Sequence, residues 1–169
     1  DEQGEMAYWR DVGTVDAYFK ANMELCSVKP ELNLYNQRWP IWTYQPQLPP
    51  AKFVFEYPGK RGEAINSLVG DGCIISGAHV EHSVIYYGTR IETYSTVRDS
   101  VVLPNVYIGA NCRISHAIID KNTFIPDNTV IGENSDHDAQ HYHISEEGVV
   151  LVTPEMMGQD IMYGHPVIY

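Results

Sequence analysis

Several signals are missing from this sequence of 169 residues, and each absence excludes a class of protein. No apolar run approaches the roughly 18 residues that a membrane-spanning helix needs. Lys and Arg form no run, and the formal net charge is -11. A nucleic-acid backbone or an anionic membrane surface is therefore not an expected partner. Cysteine is scarce: Cys26, Cys73 and Cys112 are odd in number, and no spacing among them suits zinc. Reduced thiols in a cytoplasmic protein are the simplest expectation. There is no glycine-rich phosphate loop, no GxSxG elbow and no evident Cys/His pair. The chain thus carries no complete catalytic constellation of its own. No secretory leader is recognisable, and the chain begins with Asp1 rather than Met, so a fragment or processed product is expected.

What is present is a repeat. From Ile85 onward, aliphatic residues recur at steps of six, six and five: Ile85, Ile91, Val97; Val102, Ile108, Ile114; Ile119, Ile125, Ile131. Neither a 3.6-residue helical face nor strict alternation produces that spacing. Four residues after most of these positions comes a small or β-branched residue or a thiol: Thr89, Ser95, Val101, Val106, Cys112, Thr123, Thr129. This is a hexapeptide repeat. It predicts a mainly β fold, a left-handed parallel β-helix of about four coils. The aliphatic residues point into the prism, and the residues four further on fill its corners. Val69, Ile75 and Val80 extend the ladder backwards, with Cys73 in a corner. A register shifted to Leu68 and Ile74 also fits but has the less complete hexapeptide form.

A short helix and a proline-rich connector precede the repeat. Thr14 to Cys26 reads as a helix capped by Thr14, with Val15, Tyr18, Phe19, Met23 and Cys26 on one face. Pro30, Pro40, Pro46, Pro49, Pro50 and Pro58 punctuate the connector, and proline both breaks helices and denies ladder donors. With "WPIWTY" inside it, this connector is expected to pack its aromatics on something larger. After the repeat, Ser135 to Tyr142 reads as a short helix, and "GVVLVT" as an edge strand or a last rung.

Three groups of residues invite a chemical reading. Asp11 comes after the alternating stretch "EMAYW" and precedes the helix. A carboxylate there can hold Mg²⁺ against phosphates, or it can simply form a turn or an ion pair. His137, Asp138, His141 and His143 have spacing compatible with a metal on one helical face, or with a solvated polar face. His79, His82 and His116 fall within the repeat. One of them is a candidate general base of the kind used by hexapeptide acyltransferases, or all of them stand on an outer wall.

Several motifs agree in order with one family. "YWRDVGT", "VDAYFKAN", "LPPAKF", "NSLVGDGCIISG", the repeat, "VIGEN" and "SEEGVVLVT" together resemble the bacterial glucose-1-phosphate adenylyltransferases (ADP-glucose pyrophosphorylases), over about residues 5 to 155. The resemblance implies that "YWRDVGT" closes a nucleotidyltransferase domain whose nucleotide loop lies further upstream. Residues 1–26 are then that domain's C-terminal remnant, a strand and a helix; 27–65 the connector; 66–155 the β-helix domain; 156–169 a tail. It implies Trp9 and Asp11 as substrate-binding residues, with Asp11 also a ligand of Mg²⁺, the whole enzyme's cofactor. It further implies ATP and glucose 1-phosphate as substrates, phosphorylated effectors as ligands, a missing catalytic domain as partner and a homo-oligomer. The β-helix would regulate and assemble, contributing to glycogen synthesis without doing chemistry. Lys121 keeps a positive charge where a relative has arginine, which makes it the effector-binding candidate. Pro154 and Gly158 stand where some relatives place arginines. Two rival readings remain: an autonomous acyltransferase using acyl-CoA, and a purely structural assembly module.

Overall fold

The computed structural model describes residues 8–160. Its body is a triangular prism of short parallel strands that makes about four turns. The first wall stacks β1 (Lys52–Val54), β6 (Ile74–Ser76), β9 (Arg90–Ile91), β12 (Tyr107–Ile108) and β15 (Phe124–Ile125). The second stacks β4 (Glu63–Ile65), β7 (His79–Glu81), β10 (Thr96–Arg98), β13 (Arg113–Ser115) and β16 (Val130–Ile131). The third stacks β5 (Leu68–Val69), β8 (Val84–Ile85), β11 (Val101–Val102), β14 (Ala117–Ile119) and β18 (Val150–Val152). A strand β17 (His143–Ile144) adds to β18 in antiparallel fashion.

The inward ladder is the one the spacing predicts. All nine aliphatic positions from Ile85 to Ile131 are at most 1% exposed. Ile75 and Val80 are fully buried and Val69 packs against the same core, so the Val69 register holds. Thr89, Ser95, Val106, Cys112 and Thr123 are buried at the corners as expected. Corner polarity is satisfied locally: the Ser95 hydroxyl donates to the Gly109 carbonyl at 2.6 Å and accepts the Cys112 amide at 2.9 Å. A buried hydroxyl without such partners would cost about 1–3 kcal/mol.

Each corner also needs a residue with positive φ, and the sequence supplies them in columns. Asn66, His82, Asp99 and His116 form one column; Asn105 and Asn122 a second; Tyr94, Asn111 and Asn128 a third. Asn, Asp and His tolerate this left-handed region better than other L residues do.

Three expectations need correction. First, the solenoid starts at Lys52, inside the stretch 27–65 read as connector. β1 and β4 pair in parallel with β6 and β7. A hairpin of β2 (Glu56–Tyr57) and β3 (Lys60–Arg61) interrupts this first coil and hides its six-residue spacing. Second, Val101 does not fill a corner. It points outward from the third wall, in register with Val84 and Ile118, where a helix covers it. Third, Asp138 is not on a solvated face. It is 1% exposed and its carboxylate accepts the Gly132 amide at 2.9 Å.

That covering helix, α1, is Val15–Glu24, with the Thr14 hydroxyl accepting the Ala17 amide as its cap. Phe19, Met23 and the nearby Cys26 bury against Val84, Val101, Ile118 and Val149, with Leu68 and Leu151 at the margins. Burying large apolar side chains is worth about 2 kcal/mol each, enough to make α1 an integral part of the prism. A second helix, α2 (Ser135–His141), is capped by Asn134 and lies beside the last coil. The C-terminal edge of the first wall is closed by one side chain. Gln159 accepts the Phe124 amide at 3.0 Å and donates to the Phe124 carbonyl at 2.6 Å, imitating a further strand. No helix among the described residues is long and apolar enough to cross a membrane.

Candidate functional site

The segment Tyr8–Gly13 runs irregularly into α1; the first part of the strand expected over "EMAYW" lies outside the described residues. Trp9 is 76% exposed. Asp11 is exposed too, and its Oδ1 accepts the Gly13 amide at 2.9 Å. That contact forms a short Asx turn leading into the Thr14 cap. The described residues contain no group of three or more His, Cys, Asp or Glu able to hold a metal. One exposed carboxylate does not make a Mg²⁺ site, since that ion needs an oxygen shell of near-octahedral geometry. The residues present therefore do not fit a complete metal centre.

Arg10, between Trp9 and Asp11, is the best-connected residue of the segment. Its Nε and Nη2 donate to the two carboxylate oxygens of Glu24, each at 3.1 Å, and Nη2 also bonds Glu31. Its Nη1 donates to the Trp9 carbonyl at 3.2 Å, and the guanidinium lies 5.2 Å from the Tyr8 ring centre. Reading the sequence missed this group. Its partners lie fourteen and twenty-one residues away, and no local pattern announces them.

The links from α1 to the prism continue beyond apolar contact. The Tyr86 hydroxyl donates to Asn22 Oδ1 at 3.1 Å, Lys20 pairs with Glu147 at 2.5 Å, and Ser145 bonds Asp16. Burial pushes the Tyr86 phenol up to about 12. The Cys73 thiol rises to about 11 for the same reason, and Cys26 and Cys112 also rise by burial. All three thiols are buried and free, so thiolate chemistry is suppressed.

Lys121 stands elsewhere, exposed at the corner between β14 and β15, where its amide donates to the Asp120 carboxylate at 2.7 Å. Pro154 is buried, and its carbonyl accepts the Gln159 amide at 2.9 Å. Gly158 adopts φ +69°. These two residues turn the chain so that Gln159 reaches Phe124.

The wall histidines are engaged within the chain. His79 Nδ1 lies 2.9 Å from Glu63 and its Nε2 3.5 Å from Glu81. His82 Nδ1 lies 2.7 Å from Asp99, and the His116 ring meets Phe19 edge-on at 4.8 Å. His137 and His141 stack at 4.6 Å, beside the buried Asp138 rather than around a metal.

The connector leaves its aromatics uncovered: Trp39 is 59% exposed, Trp42 90% and Tyr44 77%. Between the connector and the third wall lies a hollow of about 460 Å³, with Tyr35, Tyr44, Tyr86 and Tyr87 among its lining.

A three-walled parallel prism with six-residue rungs and left-handed corners defines a class, the hexapeptide β-helix domains. Within that class the chain belongs to the family described as GlmU-like, C-terminal hexapeptide, whose profile matches residues 49–152. That match starts just before β1, in agreement with the first rung at Lys52. Similar over nearly all of this chain are proteins named glucose-1-phosphate adenylyltransferase. The one from Thiobacillus denitrificans is 59% identical over 95% of this chain and 37% of its own length. The one from Methylococcus capsulatus is 58% identical over 96% and 38%. That from Hydrogenovibrio crunogenus is 55% identical over 94% and 38%. The chain thus spans well under half the length of these curated relatives, and it matches their C-terminal part.

Proposed function

We propose that this chain is the non-catalytic C-terminal domain of a glucose-1-phosphate adenylyltransferase, the enzyme that makes ADP-glucose and pyrophosphate from ATP and glucose 1-phosphate. The observation that carries this reading is the continuity of the likeness. It runs from the Trp9–Asp11 segment through α1 and the whole prism, at 53–59% identity. The β-helix serves regulation and assembly, and a nucleotidyltransferase domain upstream supplies the nucleotide loop. Trp9 and Asp11 form the near side of the substrate site, with Asp11 one of several Mg²⁺ ligands, the others lying outside this chain. The exposed connector aromatics, Trp39 and Trp42 foremost, supply apolar surface for the catalytic domain or for a second copy in a homo-oligomer. Lys121 is the effector-facing cation. A lone surface lysine in a chain of net charge -11 holds a sugar bisphosphate only at millimolar concentration or weaker, on the order of 4 kcal/mol.

The test is a chimera. This chain alone should form no ADP-glucose from ATP, glucose 1-phosphate and Mg²⁺. Fused behind the upstream part of the Thiobacillus denitrificans relative, it should support turnover that Asp11→Asn removes. Turnover by the isolated chain, or a folded chimera without activity, overturns the reading.

A further inference from the structure

One guanidinium holds three segments together. Arg10 lies in the irregular entry segment, Glu24 is the last residue of α1 and Glu31 lies in the connector. A single exposed ion pair contributes little. Here, however, the planar fork of Arg10 meets both oxygens of Glu24 at 3.1 Å while a second carboxylate engages the same Nη2. A fork fixes direction as well as distance, which the point charge of a lysine cannot do. Glu24 in turn is not free to drift. It ends a helix whose Phe19 and Met23 are at most 9% exposed, against the third wall. The same helix is tied to the last coil through Asp16–Ser145 and Lys20–Glu147. Asp11 comes next after Arg10, and its carboxylate is fixed on the other side by the Gly13 amide.

We propose that Arg10, clamped by Glu24 and Glu31, is a positioning residue that fixes the Trp9–Asp11 segment on α1, so that the β-helix serves as the frame against which Asp11 is oriented. The role of Asp11 rests on the proposed function; the clamp itself rests on the contacts of this chain. Breaking it frees the entry segment without unfolding anything, because α1 remains docked through its apolar face. A domain with no chemistry of its own thereby acts on chemistry at its border.

The first measurement is ¹⁵N relaxation of the chain in solution. Backbone order parameters for residues 9–13 should be near 0.8 in the wild type and fall below about 0.6 in Arg10→Ala. Those of α1 and the prism should not change. Glu24→Gln should have a smaller effect of the same kind, because Glu31 still holds Arg10. Adding it to Arg10→Ala should change nothing further, since Arg10→Ala already removes the contact that Glu24→Gln weakens. Arg10→Lys should fall between. Unchanged order at 9–13, loss of order throughout α1, or additive effects overturn the proposal. The second measurement uses the chimera. Arg10→Ala should lower kcat at least tenfold, while the melting temperature stays within a degree or two and Arg10→Lys recovers part of the loss. If Asp11→Asn leaves turnover intact, the functional reading falls while the relaxation result still judges the clamp. If Asp11→Asn abolishes turnover and Arg10→Ala does not lower it, the positioning role falls and the reading stands.

Discussion

The second and third walls of the prism share one inward face and differ over most of the outer one, where only Val130 and Ile65 are aliphatic on the second wall. Outward from the third wall stand Leu68, Val84, Val101, Ile118 and Leu151, beneath α1. Outward from the second stand Glu63, His79, Thr96 and Arg113 in one row, with Glu81 and Arg98 in the next. Arg98 pairs there with Glu81 at 3.3 Å, and Arg113 forks onto Glu133 at 3.0–3.1 Å. The same backbone rung therefore makes either a buried interface or a solvated wall. The choice is written in the residue just before each inward aliphatic. A hexapeptide ladder specifies the prism; its preceding position specifies what the prism binds.

Four substitutions probe this contrast, from the largest effect to the smallest. Ile108→Asp attacks what the walls share. An unpaired carboxylate in the fully buried ladder costs several kcal/mol, so the chain should lose its cooperative melting transition by circular dichroism at 25 °C. Phe19→Ala acts only on the third wall. It should cost about 3 kcal/mol, and protease should cut before residue 27 while the prism core remains intact on a gel. Tyr86 probes the same interface by pH. Its phenol titrates near 12 when folded against 10.0 as its ordinary value. The folded state therefore retains a proton that the unfolded state has lost, and stability declines as pH rises from 10 to 12. Tyr86→Phe should flatten that decline in urea titrations. Arg113→Ala, on the solvated wall, should change stability by no more than about 0.5 kcal/mol, and less at high salt. An Arg113 effect equal to that of Phe19 would erase the distinction between the walls.

Much of the molecule is legible in its sequence. The nine inward positions, the corner residues Ser95 and Thr123, and a helix capped by Thr14 come from spacing and residue type alone. The paired aliphatics Leu68-Val69, Val84-Ile85, Val101-Val102 and Ile118-Ile119 also mark the doubly buried wall. In sequence Leu68-Val69 reads as an ambiguity of register and Val101 as a corner residue, because a hexapeptide pattern is sought one residue at a time. The first coil is hidden because its hairpin breaks the period between Phe53 and Ala64. Arg10 is hidden for a different reason: a side-chain fork that joins distant segments leaves no periodic trace. The proposed site is legible as the residues Trp9 and Asp11, not as the geometry that holds them.

Gln159 bears on how such a molecule ends. A stack of near-identical rungs is a one-dimensional crystal whose terminal layer is an attachment surface for the next. Were Phe124 left with its amide and carbonyl open, the tip would be a growing face. A single carboxamide, presented by the turn from Pro154 to Gly158, occupies both groups and arrests growth there. At this wall the stack therefore ends on a side chain that takes the place of a further rung.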